Sequence, residues 1–241
     1  MNNARGFTLI EIVVALGISM IMLFAIGMAI DSMQKSSTGI ERKVTAQEDV
    51  RAALELMAME IRMASYNPTM ADNVALWRNT TCAAPPATTP AYRGIQGATA
   101  NSITIEMDIS DGTSGGDGQG ALTEANEIIS YNYVSAGQQY VTRETNCGGA
   151  QPFLGDLTTS GNPRTVNVIN ATLGIPMFRY YDGNGVELLF AAGTGRVCMP
   201  GCTTDIRAIE ITLAVQTKDI DPNTKQPRNM IYSTREILRN H

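Results

Sequence analysis

The feature that most constrains this chain is the run Phe7–Ile30, 24 residues with a single charge, Glu11, and no proline. At about 1.5 Å per residue a helix of that length spans roughly 36 Å, enough for the hydrocarbon core of a bilayer. Asp31 and Lys35 mark its exit. The six residues before it, Met1 to Gly6, carry one positive charge, Arg5. A secretory signal would place a small-residue cleavage site after the apolar core. None follows here, and the helical pattern continues instead. The sequence therefore predicts an N-terminal membrane helix with everything after it outside the membrane.

Glu11 is the anomaly in that helix. A carboxylate near the centre of a membrane helix costs about 2.5–3.5 kcal/mol on insertion scales. Being near the end of the span, Glu11 reaches the interface at lower cost. Two readings follow: an interfacial side chain that snorkels or stays protonated, or a buried charge whose partner comes from another chain.

Gly6-Phe7-Thr8-Leu9-Ile10-Glu11 resembles the prepilin cleavage and methylation motif of type IV pilins and type II secretion pseudopilins. The resemblance implies that a prepilin peptidase cuts between Gly6 and Phe7 and methylates the new amino group of Phe7. It implies that Glu11 meets the positive N-terminus of a neighbouring subunit during assembly. An unpaired buried charge is expensive, so such a pair would also favour one axial register.

Beyond Ile30 the pattern changes. Ile40, Val44, Val50, Leu54, Met57 and Ile61 recur at helical spacing. Charges including Glu41, Arg42, Lys43, Glu48, Asp49, Arg51, Glu55, Glu60 and Arg62 fill the other face. This predicts an amphipathic helix over 31–66, with Arg51 and Glu55 spaced to pair and Asn67-Pro68 ending it. Gly17, Gly27 and Gly39 lower helix propensity locally. Many major pilins carry a proline near mid-helix where this chain has Gly27-Met28. Met20, Met22, Met28, Met33, Met57 and Met63 read as core packing rather than a soft metal site.

Residues 67–241 form the head. Asn67 to Ala100 is rich in Pro, Ala and Thr and reads as a long loop. Strand patterns follow at Ile103–Ile109, Ile129–Tyr133, Gln139–Arg143, Met177–Tyr181, Ile209–Val215 and Met230–Leu238. Asp182-Gly183-Asn184-Gly185 is a strong turn signal. One-sided alternation suits an antiparallel sheet with one face covered, and the long helix is the natural cover. The predicted fold class is α+β: leader 1–6, membrane or filament-core helix 7–30, amphipathic helix 31–66, and a β-rich head packed on it. The head pattern also resembles the PilW-type minor pilins. That resemblance rests on Glu60 to Tyr66 closing the helix, Arg235 to Asn240 closing the chain, and the glycine-acid loop between the first two strands.

The four cysteines, Cys82, Cys147, Cys198 and Cys202, all lie in the head. An even count outside the membrane favours disulfides over free thiols. The Pro-Gly turn in Cys198-Met-Pro-Gly-Cys202 favours Cys198–Cys202, leaving Cys82–Cys147; crossed pairings stay open. A zinc site would want a second close pair, which is missing. From Gly94 to Thr142 there is no Lys or Arg but six acids: Glu106, Asp108, Asp111, Asp117, Glu124 and Glu127. Asp108, Asp111 and Asp117 lie in an oxygen-rich loop that reads either as a solvated hairpin or as a calcium site outside the EF-hand pattern. No other cofactor is expected.

The sole histidine is His241, and no G-x-S-x-G, P-loop or H-E-x-x-H motif is present. The chain is therefore expected not to be an enzyme. A net charge of −5 argues against direct nucleic-acid binding. The resemblance implies a minor pilin that primes or caps a type IV pilus. Its implied partners are other major and minor pilins, the prepilin peptidase and an inner-membrane assembly platform. The precursor would sit in the inner membrane with its head extracytoplasmic, and the processed chain in a pilus or periplasmic pseudopilus. A type II secretion pseudopilin, a tip adhesin or DNA-uptake receptor, and a membrane-anchored enzyme are the alternatives.

Overall fold

The computed structural model describes residues 7–67, 77, 94–109, 122, 126–135, 139–155, 165–190, 205–218, 220–221 and 224–240. The fold is α+β, a long N-terminal helix followed by antiparallel sheets. Helix α1 is a single element of 54 residues, Leu9–Arg62, continuous through Gly17, Gly27 and Gly39. It is long and apolar enough at its N-terminal end to cross a membrane. It closes at Arg62, before the proline that the sequence suggested as its stop. Met63 caps it by donating its N–H to the carbonyls of Glu60 and Ile61. Ser65 then takes a left-handed φ of 64° and donates its N–H to Glu106 O at 2.8 Å. Docking of this turn onto the head, rather than proline chemistry, sets the end. Gly94 packs so closely against it that a Cβ there would stand 2.3 Å from Ser65 N, which only glycine avoids.

The first buried residue of α1 is Ala46; from there Val50, Ala53, Leu54, Met57, Ala58 and Ile61 enter the core. Ile40 and Val44, expected on the buried face, are 61% and 44% exposed because the head begins above them. Met57 fills the core as expected, whereas Met20, Met22, Met28 and Met33 lie on the uncovered stretch.

The expected single sheet is two. The first has five strands in chain order: β1 (Ile95–Ala98), β2 (Ser102–Glu106), β3 (Ile128–Val134), β4 (Tyr140–Thr145) and β5 (Gln151–Leu154), all antiparallel. β1 falls within the stretch that reads as loop in the sequence. β2 is buried on both faces, so its alternation is not one-sided. Trp77, Leu122 and Ile128 form a second, small apolar cluster in the head.

The second sheet is built on the ten-residue strand β8 (Ala208–Thr217). β6 (Val166–Val168) and β7 (Phe178–Tyr181) share one edge of β8, and β9 (Asn229–Ile237) runs along the other. Between β6 and β7 that edge would leave Thr212 O and Ala214 N unpaired. Asn170, on the short helix α2 (Asn170–Leu173), fills the gap. Its Nδ2 donates to Thr212 O at 2.8 Å and its Oδ1 accepts from Ala214 N at 2.9 Å. Asn170 is fully buried, so Asn170→Ala should lower stability by about 1–3 kcal/mol by leaving both groups unsatisfied. Denaturant unfolding of the detergent-solubilised chain measures this; an unchanged midpoint would mean another group replaces the amide. The Asp182–Gly185 turn forms as read, with Asp182 Oδ1 accepting from the N–H of Asn184 and Val186 at 2.8 Å each.

Candidate functional site: the assembly helix and its seat on the head

The N-terminus of α1 places Thr8 at the N-cap and Glu11 three residues on, at the position where a glutamate reaches back. Glu11 N–H donates to Thr8 Oγ1 at 3.3 Å, and Thr8 N–H donates to Glu11 Oε2 at 2.8 Å. The Thr8 hydroxyl also donates to Oε2, at 3.0 Å. In the single chain, then, Glu11 caps its own helix and satisfies an orphan backbone donor. It holds that role while exposed, as is Phe7 at 86%. The carboxylate thus sits one turn from the Gly6/Phe7 junction, bonded only to Thr8 among the described residues. Gly6 lies outside the described residues.

From Leu9 to Thr45 no residue of α1 is buried. Gly39, Arg42 and Lys43 already line a small pocket with Thr217 and Arg228 of the head, so roughly 45 Å of helix stands clear of it. Large apolar side chains all round it, including Leu16, Leu23 and Phe24, are more than half exposed. A helix apolar on all sides belongs in a membrane or a helical bundle, not in water.

The upper part of α1 is held by polar contacts as well as by the core. Glu60, expected on the solvated face, is buried. Its Oε1 accepts from Arg143 Nη2 at 2.6 Å and its Oε2 from Arg143 Nε at 3.1 Å. The Tyr131 hydroxyl also donates to Glu60 Oε2. Arg143 reaches Asn126 Oδ1 at 3.1 Å as well. The bonded carboxylate of Glu60 pushes the Arg143 pKa above its ordinary value, and burial pushes the Tyr131 phenol up. Arg62 pairs with Glu236 on β9 at 2.8 Å. Arg51 does not pair with Glu55; its guanidinium lies 5.9 Å from the Tyr232 ring centroid, so the sheet captures it. The Thr165 hydroxyl donates to Asp49. These contacts fix the helix to both sheets, and none has a local signature in the sequence.

Of the acids in the cation-free stretch, Glu106, Asp108 and Glu127 are buried rather than solvated. Asp108 donates its N–H to Tyr66 O at 2.8 Å, tying the end of β2 to the turn after α1. Asp111 and Asp117 lie outside the described residues. Among the described residues no cluster of three metal-ligating side chains forms. Glu106 Oε1 accepts from Gln96 Nε2, which also donates to Trp77 O at 3.2 Å, while Glu106 Oε2 is buried with no partner among the described residues. Burial raises the Glu106 carboxyl to about 8 against an ordinary 4.5. Cys147 sits in the β4–β5 turn at a left-handed φ of 60° and is disulfide-bonded. Cys82, Cys198 and Cys202 lie outside the described residues.

No curated protein and no solved structure matches the chain. Residues 1–29 match the prokaryotic N-terminal methylation motif. The match takes in the leader, the Gly6/Phe7 junction, Glu11 and most of the apolar half of α1, and it supports a type IV pilin-like chain with a structural role.

Proposed function

We propose that this chain is a minor pilin that primes or caps a type IV pilus after cleavage between Gly6 and Phe7. The observation that carries the reading is the conjunction of a methylation motif with a helix on which no residue from Leu9 to Thr45 is buried. A helix of that kind gains its burial only from other helices, first in the membrane and then in a bundle. The mechanism follows from Glu11. In the single chain its carboxylate is occupied by Thr8; in a bundle it can turn to the cationic amino terminus of a neighbour. Desolvation makes an unmatched charge costly there, so the pair selects register.

Mass spectrometry of the N-terminal peptide from sheared, washed extracellular filaments tests the reading. A peptide beginning at methylated Phe7 is expected; the processed peptide found only in the cell envelope would overturn the cap reading and point to a secretion pseudopilus or an assembly primer that stays at the base. Glu11→Ala should reduce incorporation at least tenfold while the head keeps its melting temperature. Normal incorporation of that variant would remove the register argument. The Cys198–Cys202 and Cys82–Cys147 pairings and a calcium site at Asp108, Asp111 and Asp117 stand as secondary proposals, read respectively by non-reducing peptide mapping and by calcium titration.

A further inference from the structure

Two charges on α1 set its height in a bilayer. Glu11 and Asp31 bracket the apolar run, and no charge lies between them. The interval from one to the other is about 30 Å of helix, the thickness of a hydrocarbon core. Asp31 therefore marks the outer edge of that core. Gly39 stands about 12 Å above the edge, and the headgroup layer fills about 5–8 Å of that height.

The lower end of the second sheet comes down to this level. Arg62 pairs with Glu236, Arg51 lies over Tyr232, and Gly39 and Arg42 line one small pocket with Arg228. β9 thus ascends alongside α1 while its antiparallel partner β8 descends, and the β8–β9 connection lies at the end of the sheet nearest the apolar helix. Ile220 and Asp221 of that connection line the same pocket as Gly39. The turn beyond them is closed by Lys225 N–H donating to Asp221 O at 2.7 Å. Thr224 and Lys225 therefore lie on the membrane side of Gly39, and long lysine stems span the few ångströms left to the headgroups.

The chemistry of this end fits an anionic surface. The chain has a net charge of −5, yet residues 39–43 and 218–228 hold five cations, Arg42, Lys43, Lys218, Lys225 and Arg228, against three acids, Glu41, Asp219 and Asp221. Asp219 lies outside the described residues. Asp221 is engaged by its own hairpin, with Arg228 Nε donating to its Oδ2 at 2.6 Å. Lys218 and Lys225 are exposed and form no ion pair among the described residues. Ile220 between them is 57% exposed. Cations flanking an exposed apolar side chain are the composition of an interfacial contact. The turn at the opposite end of the sheet, Asp182–Gly185, carries one acid and no cation.

We propose that, while α1 spans the membrane, the β8–β9 hairpin rests on anionic phospholipid headgroups, with Lys218 and Lys225 against their phosphates and Ile220 between them. The contact sets the tilt of the head over the bilayer before the helix enters a bundle. This rests on the assembly reading above, in which α1 first lies in a membrane.

The test incorporates the fluorescent residue acridonylalanine singly at Thr224, Asn184 or Leu16 of the full chain, reconstituted in nanodiscs of phosphatidylcholine alone or mixed with phosphatidylglycerol. Nitroxide lipids labelled at the headgroup or in the acyl chain report depth by quenching. The expected result is headgroup quenching at Thr224 but not at Asn184, about twofold stronger with phosphatidylglycerol and lost at high salt. The double variant Lys218→Glu with Lys225→Glu should remove the difference between the two lipid mixtures. A Thr224 probe quenched no more than Asn184, in a chain whose Leu16 probe is quenched from the acyl chain, would overturn the hairpin proposal and leave the assembly reading standing. Quenching at Thr224 that ignores lipid charge and the double variant would overturn it too, since the hairpin would then only lie near the surface. A Leu16 probe that the acyl-chain nitroxide does not reach would remove the membrane placement of α1 and this proposal with it.

Discussion

Raising the pH from 4.5 to 8 should cost the wild-type chain roughly 3–5 kcal/mol of stability that Glu106→Gln retains, at about 1.4 kcal/mol per unit of pKa difference. The sign follows from proton binding. The Glu106 carboxyl is raised in the folded chain to about 8 from the ordinary 4.5. Below pH 4.5 both folded and unfolded chains hold the proton, and the folded state bears no penalty. Between the two values the folded chain keeps a proton that the unfolded chain has released, so stability falls as pH rises. Above about 8 the carboxyl is ionised in both states and the dependence levels off. The cause is burial: among the described residues Oε1 has only the Gln96 amide, Oε2 has no partner, and no cation reaches either oxygen. Denaturant titrations of the detergent-solubilised wild type and Glu106→Gln at several pH values isolate the effect as the difference between the two curves. Parallel curves would show that Glu106 ionises freely and that water reaches it.

How much of this could be read from the sequence depends on how local the determining physics is. The uncovered half of α1 and the position of Glu11 were legible because both rest on a contiguous run and an offset of three or four residues. β3, β8 and β9 were legible because their alternation is long enough to rise above composition. β1, β5 and β6 were not: they have four, four and three residues, and their strand character comes from pairing with distant neighbours. The division into two sheets was hidden for the same reason, since it turns on which strands pair across long stretches of chain. Glu60 was misplaced because charge normally marks solvent, and nothing in the sequence announced the burial of Glu106. Glu60 has its partner 83 residues away on β4, and no short-range pattern announces it.

Arg143→Met should lower the stability of the chain by about 3 kcal/mol, because it strands a carboxylate in the interface between helix and head. Glu60 lies 10% exposed at its side chain and Arg143 23%, so water screens the pair only partly. Removing the guanidinium takes away two hydrogen bonds and the compensating charge, and leaves Tyr131 as the remaining donor among the described residues. The double variant Glu60→Leu with Arg143→Met should recover more than half of that loss, since replacing both partners removes the unpaired charge along with the attraction. Tyr131→Phe, which deletes one donor and no charge, should cost about 1–2 kcal/mol. The contrast matters for the assembly reading. Glu60 lies on the same rigid helix as Glu11, so the triad determines how the head is presented once the lower helix is packed. If it is a rigid seat, Arg143→Met should lower head stability without altering the proposed cleavage at Gly6/Phe7, since it leaves the N-terminal motif untouched. Denaturant unfolding and N-terminal mass spectrometry of the same preparation read the two quantities separately. Additive losses in the double variant would mean that Glu60 and Arg143 are each solvated independently, and the seat would then rest on the apolar contacts of Val50, Leu54, Met57 and Ile61 alone.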